Sequence, residues 1–404
     1  MKVSVIGQGY VGLTVAIGAA SVGHVVHGFD TNPNLISDLK IGKTYVPGVD
    51  AETLKRLIKS NNFKPTINPS DLNDSNIIVI AVPTPLDDDR KPNLGFIESA
   101  LSIISKFVFN SALIINESTS YPGTLRDYII PNLESKSKVK FGYASAPERV
   151  DPGNESWNLS NTPRVISGIT SEDTENAINF YSTFCNKIYR APNCEVAEAS
   201  KIFENTFRQI NIALVNEFSQ ISEKLGFSAS EAIKAAATKP FGFMPFFPSI
   251  GVGGHCIPID PTYLSHIAKT FGAEAKFIDL ANQTNLTMPK SVALRIKRFC
   301  GGSIEGLNIQ IAGIAYKPNI EDMRESPAIK LIEELRLLNA NVSWHDPVVG
   351  KYQNQNSVPL SENIDIGLIV TPHDLIDFTI WRKSKVKVLD LSADSKDYGW
   401  KKFL

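Results

Sequence analysis

Short apolar runs alternate with amphipathic stretches over the first 190 residues. Val3–Ile6, Val25–Phe29, Ile77–Val82, Leu113–Ile115 and Val165–Ser167 read as strands, and Val11–Val22 and Phe96–Val108 as helices between them. Strands alternating with helices of that length predict a parallel sheet built from βαβ units. The texture changes after Pro192. Glu195–Leu225 holds neither proline nor glycine, and Ile202, Phe203, Phe207, Ile210, Leu214, Phe218 and Ile221 recur at helical spacing. That pattern predicts a helix longer than the usual 8–20 residues. Such a helix serves as a spine or dimer surface, or is buried within one subunit; the pattern leaves both open. A Gly/Pro-rich loop, Lys239–Pro261, precedes more helical text to about Arg298. From Gly301-Gly302 the α/β pattern resumes, with strands at Leu307–Ala312, Val342–Trp344, Ile366–Val370 and Val386–Leu389 and a helix at Ala328–Leu338. The expected organisation is two α/β domains, 1–192 and 301–404, flanking a helical middle, 193–300.

Composition narrows the partners. The 404 residues are 43% hydrophobic and 21% charged, ordinary for a globular chain, and the net charge of -1 gives no global case for nucleic acid or an acidic membrane. No run of 18 apolar residues appears, and MKVSVIGQGY leads into a glycine motif rather than a leader cleavage site, so neither a membrane span nor a leader is expected. Cys185, Cys194, Cys256 and Cys300 form no C-x-x-C pair and no metal-ligand spacing; a reduced, cytoplasmic setting without a metal is expected.

Gly7-Gln8-Gly9-Tyr10-Val11-Gly12 follows a strand and opens a helix. The first glycine permits a tight turn, the second lets backbone approach a pyrophosphate, and the third lets helix pack on strand. Asp30 ends the next strand, where a carboxylate accepts from a ribose 2′-hydroxyl and repels a 2′-phosphate, favouring NAD over NADP. The alternative is a tight turn of an α/β fold. Ala81–Pro85, with Pro83 and Thr84, and Asn116–Thr124, with Thr119, each end a strand, where such sheets bind ligands; each is also an ordinary turn.

Gly251–Asp260 places Cys256 after three glycines, which would let a ligand approach the backbone beside the thiol. A thiolate attacks an aldehyde, the thiohemiacetal yields a second hydride, and water releases the acid from the thioester. Many loop cysteines do none of this. Lys201 and Asn205, four apart on the long helix, share a face and both donate hydrogen bonds suited to an oxyanion; a solvent-facing pair is the plainer reading.

Together GQGYVG, AVPTP, ESTSYPGT, APERVDPGN, EASKIFEN, GVGGHCIPIDP and AYKPNIEDMRESPA, spread over residues 7 to 328 in one order, resemble the UDP-glucose/GDP-mannose dehydrogenase family. The resemblance implies an α/β protein of two Rossmann-like, doubly wound domains joined by a helical middle with a long central helix, working as a homodimer. It implies NAD-dependent, four-electron oxidation of the C6 alcohol of a UDP-sugar. Cys256 would be the nucleophile. Lys201 and Asn205 would stabilise charge on the C6 oxygen, and Asp260 and Thr119 would hold a relaying water. Glu148 would assist thioester hydrolysis. Arg149, Gly253 and Lys317 would contact the sugar nucleotide, with Lys201, Asn205 and Glu148. Arg324 would join Gly7, Gly9, Tyr10, Val11, Gly12, Asp30, Pro83, Thr84 and Thr119 at the cofactor. His255 before the thiol is similar to the branch acting on N-acetylated hexosamines, UDP-N-acetylglucosamine foremost, whereas Pro248-Ser249-Ile250-Gly251 is familiar from UDP-glucose enzymes. UDP-glucose, UDP-N-acetylmannosamine and UDP-N-acetylgalactosamine remain alternatives, as does a non-catalytic nucleotide-sugar- or NAD-binding protein. A two-electron hydroxyacid-type dehydrogenase is disfavoured by the Cys loop and third domain.

Overall fold

The computed structural model describes residues 1–46, 48–150, 154, 156–394 and 396–404. Asp151, Pro152 and Gly153 of the APERVDPGN motif lie outside the described residues. The chain divides into two compact units, residues 1–204 and 205–404.

The first unit is built on eight strands: β1 (Lys2–Ile6), β2 (Val25–Phe29), β3 (Phe63–Thr66), β4 (Ile77–Ile80), β5 (Leu113–Asn116), β6 (Gly142–Ser145), β7 (Arg164–Gly168) and β8 (Ile188–Arg190). They run in the order β3-β2-β1-β4-β5-β6-β7-β8. Every pairing is parallel except β6 with β7. The strands read from the sequence are β1, β2, β4, β5 and β7; β3, β6 and β8 escaped. β3 carries a proline, β6 opens on glycine, and β8 has three residues with two exposed. None of the three shows the apolar run that marked the others.

Alternation within the central strands sets the layers. Val3, Val5, Ile77, Val79, Leu113 and Ile115 pack with Leu13, Val15 and Ala16 of the Tyr10–Ser21 helix. Ile6, Ile78, Ile80 and Ile114 turn the other way onto Ile97, Leu101 and Ile104 of the Gly95–Phe107 helix. A sheet covered on both faces buries its strands completely, which is why β4 and β5 read as continuous apolar runs.

The second unit holds a four-stranded sheet, order β10-β9-β13-β14, all parallel: β9 (Asn308–Ala312), β10 (Asn341–His345), β13 (Ile366–Ile369) and β14 (Lys387–Asp390). A short antiparallel pair, β11 (Lys351–Tyr352) and β12 (Gln355–Asn356), stands apart. Met288, Val292 and Ile296 of the Lys276–Phe299 helix share one core with Ile309, Ile311 and Leu368 of this sheet. The long helix runs Cys194–Leu225, and Phe203, Phe207, Leu214 and Ile221 on it are exposed in the single chain. No helix among the described residues is long and apolar enough to cross a membrane.

Candidate active site

In the first sheet the strand order reverses between β1 and β4, and ligands of such sheets bind outside the strand carboxyl ends at that reversal. The glycine turn lies there. Gly7 adopts φ +92°, and a Cβ on it would meet the Ala81 carbonyl oxygen at 2.5 Å. A Cβ on Gly12 would sit 1.8 Å from the Gly7 oxygen, so helix and strand close only over a bare Cα. Nothing lies within 4 Å of a Cβ built on Gly9, whose position caps the helix without a side-chain bond. The helix N-terminus therefore presents its dipole and amides to open space, as a pyrophosphate requires. Tyr10 stacks edge-on against Tyr45 at 5.7 Å, and Val11 is half-buried beside it. Asp30 accepts from Gln8 N at 2.8 Å and Asn32 N at 2.9 Å. Each carboxylate oxygen keeps a lone pair for a ribose hydroxyl. The residues present thus fit a dinucleotide.

Two segments that looked like separate turns are stitched together. Ser118 Oγ accepts from Val82 N at 2.9 Å and lies 2.9 Å from the Val82 carbonyl, so it ties Pro83 and Thr84 to the Thr119 turn. The same turn is anchored to the long helix. Glu198, three residues before Lys201, accepts from Gly123 N at 2.7 Å and Leu125 N at 2.9 Å. Burial pushes its carboxyl up to about 8, against the pull of those two amides. A folded-state value above the unfolded 4.5 means the folded chain holds the proton more tightly. That stabilisation is complete below pH 4.5 and disappears as pH rises through 8, each unit being worth about 1.4 kcal/mol. The thermal midpoint of the unit carrying Glu198 is expected to climb on acidification from pH 9 to pH 5. In Glu198→Gln that slope flattens; an unchanged slope would remove Glu198 as its source.

Glu148 belongs to a buried network that the sequence did not reveal. Arg164, 3% exposed, pairs with Glu148 through one nitrogen and with Glu117 at 2.5 Å through another. Its guanidinium stacks 4.4 Å over Tyr181, whose hydroxyl donates to Glu117. Glu148 also accepts from the Arg149 and Val150 amides, each at 2.6 Å. Burial alone would raise the Glu148 carboxyl, but Arg164 and those amides outweigh it and hold it below its ordinary value. Burial instead lifts Glu117 to about 7, against Arg164. The visible signal was an arginine opening an apolar strand, Arg164-Val165-Ile166, with nothing local to neutralise it. The Arg149 guanidinium is engaged by Glu204 at 2.5 Å and by the Pro163 carbonyl at 2.8 Å.

In the second unit the Gly251–Cys256 loop is packed against its own chain. Cβ atoms on Gly253 and Gly254 would meet Tyr316 at 2.8 and 2.9 Å, and Gly253 also faces Pro327 at 2.9 Å. At these two positions the absent side chains make room for protein, where the sequence reading made room for ligand. Gly254 N donates to the Arg324 carbonyl at 2.9 Å, and the Arg324 guanidinium contacts His255 Nδ1 at 3.1 Å and Asp322 at 2.5 Å. Cys256 is half-buried, and its carbonyl accepts from Asp260 N at 2.8 Å as the Asp260–Thr270 helix begins. Asp260, 3% exposed, accepts from Asn205 Nδ2 at 2.5 Å, so two residues 55 apart meet. Lys201 is half-buried one turn before Asn205 on the same helix, and Lys317 is half-buried on the loop after β9. Cys185 and Cys194 are buried, and burial pushes both thiols up to about 12.

A doubly wound sheet with an open glycine turn and a carboxylate at the end of the second strand defines a dinucleotide-binding protein of the kind found in NAD-dependent dehydrogenases. Three models of the UDP-glucose/GDP-mannose dehydrogenase family match in succession: the NAD binding domain over residues 1–190, the central domain over 195–287 and the UDP binding domain over 310–392. The chain belongs to that family; it is a nucleotide-sugar 6-dehydrogenase, an NAD-dependent oxidoreductase. It is 35% identical to a UDP-N-acetyl-D-glucosamine 6-dehydrogenase of Pseudomonas aeruginosa, over 86% of this chain and 83% of that one. It is 34% identical to a UDP-N-acetyl-D-mannosamine dehydrogenase of Pyrococcus horikoshii, over 94% and 91%. A solved structure of a UDP-D-ManNAc dehydrogenase from that organism superimposes with a TM-score of 0.86 at 31% identity, covering 99% of this chain and 98% of the other.

Proposed function

We propose that the chain oxidises the C6 alcohol of a UDP-N-acetylhexosamine to the carboxylate in two stages, with UDP-N-acetylglucosamine its first substrate and Cys256 its nucleophile. The observation that carries this is the half-buried thiol on a loop whose far end, Asp260, is bonded to Asn205 of the long helix. Bound NAD supplies the hydride acceptor at each stage.

The chain's own residues do the rest. Lys201 and Asn205 donate to the C6 oxygen while its proton leaves through a water held by Asp260 and Thr119. The first stage leaves an aldehyde. Cys256 Sγ adds to its carbon, and the oxygen of the resulting thiohemiacetal takes a proton. Loss of a second hydride and that proton leaves a thioester. Water adds to the thioester carbon, the C–S bond breaks, and the carboxylate and the thiol are released. Glu148, held as a carboxylate by Arg164, assists this hydrolysis. Arg149 and Lys317 are assigned to the sugar nucleotide, Gly253 to it through its backbone alone, and Arg324, Pro83, Thr84 and the glycine turn to the cofactor. The 1–192, 193–300 and 301–404 segments then correspond to cofactor, thiol-bearing and UDP functions. The exposed phenylalanines of the long helix suit a second copy of the chain, giving a homodimer.

His255 favours the N-acetylated sugars, and the relatives divide between the gluco and manno epimers. NADH formation across UDP-N-acetylglucosamine, UDP-N-acetylmannosamine, UDP-N-acetylgalactosamine and UDP-glucose tests both claims. Two NADH per sugar are expected, fastest with UDP-N-acetylglucosamine. One NADH per sugar would refute the two-stage chemistry, and a faster rate with another sugar would refute the substrate.

A further inference from the structure

The loop Gly313–Asn319, which carries Lys317, is held at both ends by one buried pair. At its start, Ile314 N and Ala315 N donate to Asp346 Oδ2 at 2.8 and 3.1 Å. At its end, Asn319 N donates to His373 Nδ1 at 2.8 Å. His373 Nε2 lies 2.9 Å from Asp346 Oδ2, and both side chains are fully buried. Because Nδ1 accepts a backbone proton, the imidazole proton resides on Nε2 and points at Asp346. The other carboxylate oxygen of Asp346 accepts from Val348 N at 3.0 Å and Val349 N at 2.9 Å. Nothing in this set is spare, so the dyad has a single hydrogen-bonding arrangement.

Smaller contacts agree with it. Gly313, at φ +84°, passes so close to Thr371 that a Cβ would sit 1.8 Å from its carbonyl oxygen. Thr371 Oγ1 donates to the Ala315 carbonyl at 2.7 Å. Asn319, at φ +62°, exchanges side-chain and backbone bonds with Asp374 at 2.7 and 2.9 Å. Asp346 follows β10, and Thr371, His373 and Asp374 follow β13, so the two strands flanking β9 grip the loop that leaves it.

We infer that Asp346 and His373 are positioning residues for substrate: they fix the loop from which Lys317 meets the UDP-sugar. This rests on the role proposed for Lys317. It assigns His373 no contact with the ligand.

The test compares His373→Asn, His373→Gln and His373→Ala, with UDP as the calorimetric probe. In Asn, Oδ1 stands where Nδ1 stood and accepts the Asn319 amide. In Gln the terminal amide reaches Asp346 but leaves that amide unpaired. UDP binding is expected to weaken about tenfold in the Gln and Ala variants, the order set by one buried N–H losing its acceptor, and about twofold in Asn. The KM for UDP-sugar follows, with NAD affinity unchanged. Equal UDP affinity in Gln and wild type would overturn the inference. So would Asn and Gln losing affinity alike in step with their thermal midpoints, which would reduce the dyad to packing. UDP binding is read without turnover, so failure of the Cys256 chemistry would leave this result standing.

Discussion

Cys256→Ser is expected to lose sustained turnover by roughly three orders of magnitude or more, as removal of a covalent nucleophile does. The reason is chemical rather than structural. A thiol is partly ionised near neutral pH and adds readily to an aldehyde, whereas a serine hydroxyl needs a strong base beside it. The variant should bind NAD and UDP as wild type does and melt at the same temperature, because the site is half-buried and one atom changes. Steady-state NADH formation and calorimetry check the two halves. A rate within tenfold of wild type would dismiss the nucleophile. Cys185→Ser and Cys194→Ser are the internal controls, since burial keeps both thiols protonated.

Arg164→Met should strongly destabilise the first unit. It strands Glu117, whose side chain is 0% exposed, and Glu148, 9% exposed, without their shared cation. Breaking a buried ion pair by removing one partner costs about 3–5 kcal/mol, because the remaining charge stays desolvated. Here two carboxylates are left. Glu117 takes up a proton most easily, since burial has already raised it to about 7. Glu148 keeps its two backbone amides but loses the charge that held it ionised. The melting transition of the unit carrying Arg164 should drop sharply. Adding Glu117→Gln and Glu148→Gln to Arg164→Met should recover most of that drop, because the desolvated charges go with the cation. A single variant that melts within a degree or two of wild type would show that the pairing contributes no net stability. Thioester hydrolysis should also slow in Arg164→Met before the fold is lost, since the mutation frees Glu148 to become neutral.

The sequence carried the layout of the fold because periodicity is a local property. β1, β2, β4, β5, β7 and the long helix were all legible as apolar runs or helical spacing. β3 and β6 were not, since their burial comes from neighbours distant in the chain, and β8 was not, since two of its three residues are exposed. The antiparallel β6–β7 pairing was likewise invisible. Site residues divided in the same way. Glycines 7, 9 and 12 with Asp30 announced themselves, because the turn, the helix start and the carboxylate follow one another along the chain. Cys256 and Lys201 stood out only as members of motifs.

What the sequence by itself determined is the class of the protein. A strand–glycine–helix start, a loop cysteine and a motif-bearing helix in fixed order imply the cofactor, the family and the oxidation. Tertiary structure alone decided which groups the buried polar residues meet. Arg164 reaches Glu148 across 16 residues and Glu117 across 47; Asn205 finds Asp260 across 55; His373 closes on Asp346 across 27. A carboxylate or an imidazole has no fixed partner until folding removes water from it. Only then does each buried group require a specific donor or counter-charge, and the fold supplies it from wherever in the chain the strands have brought one near.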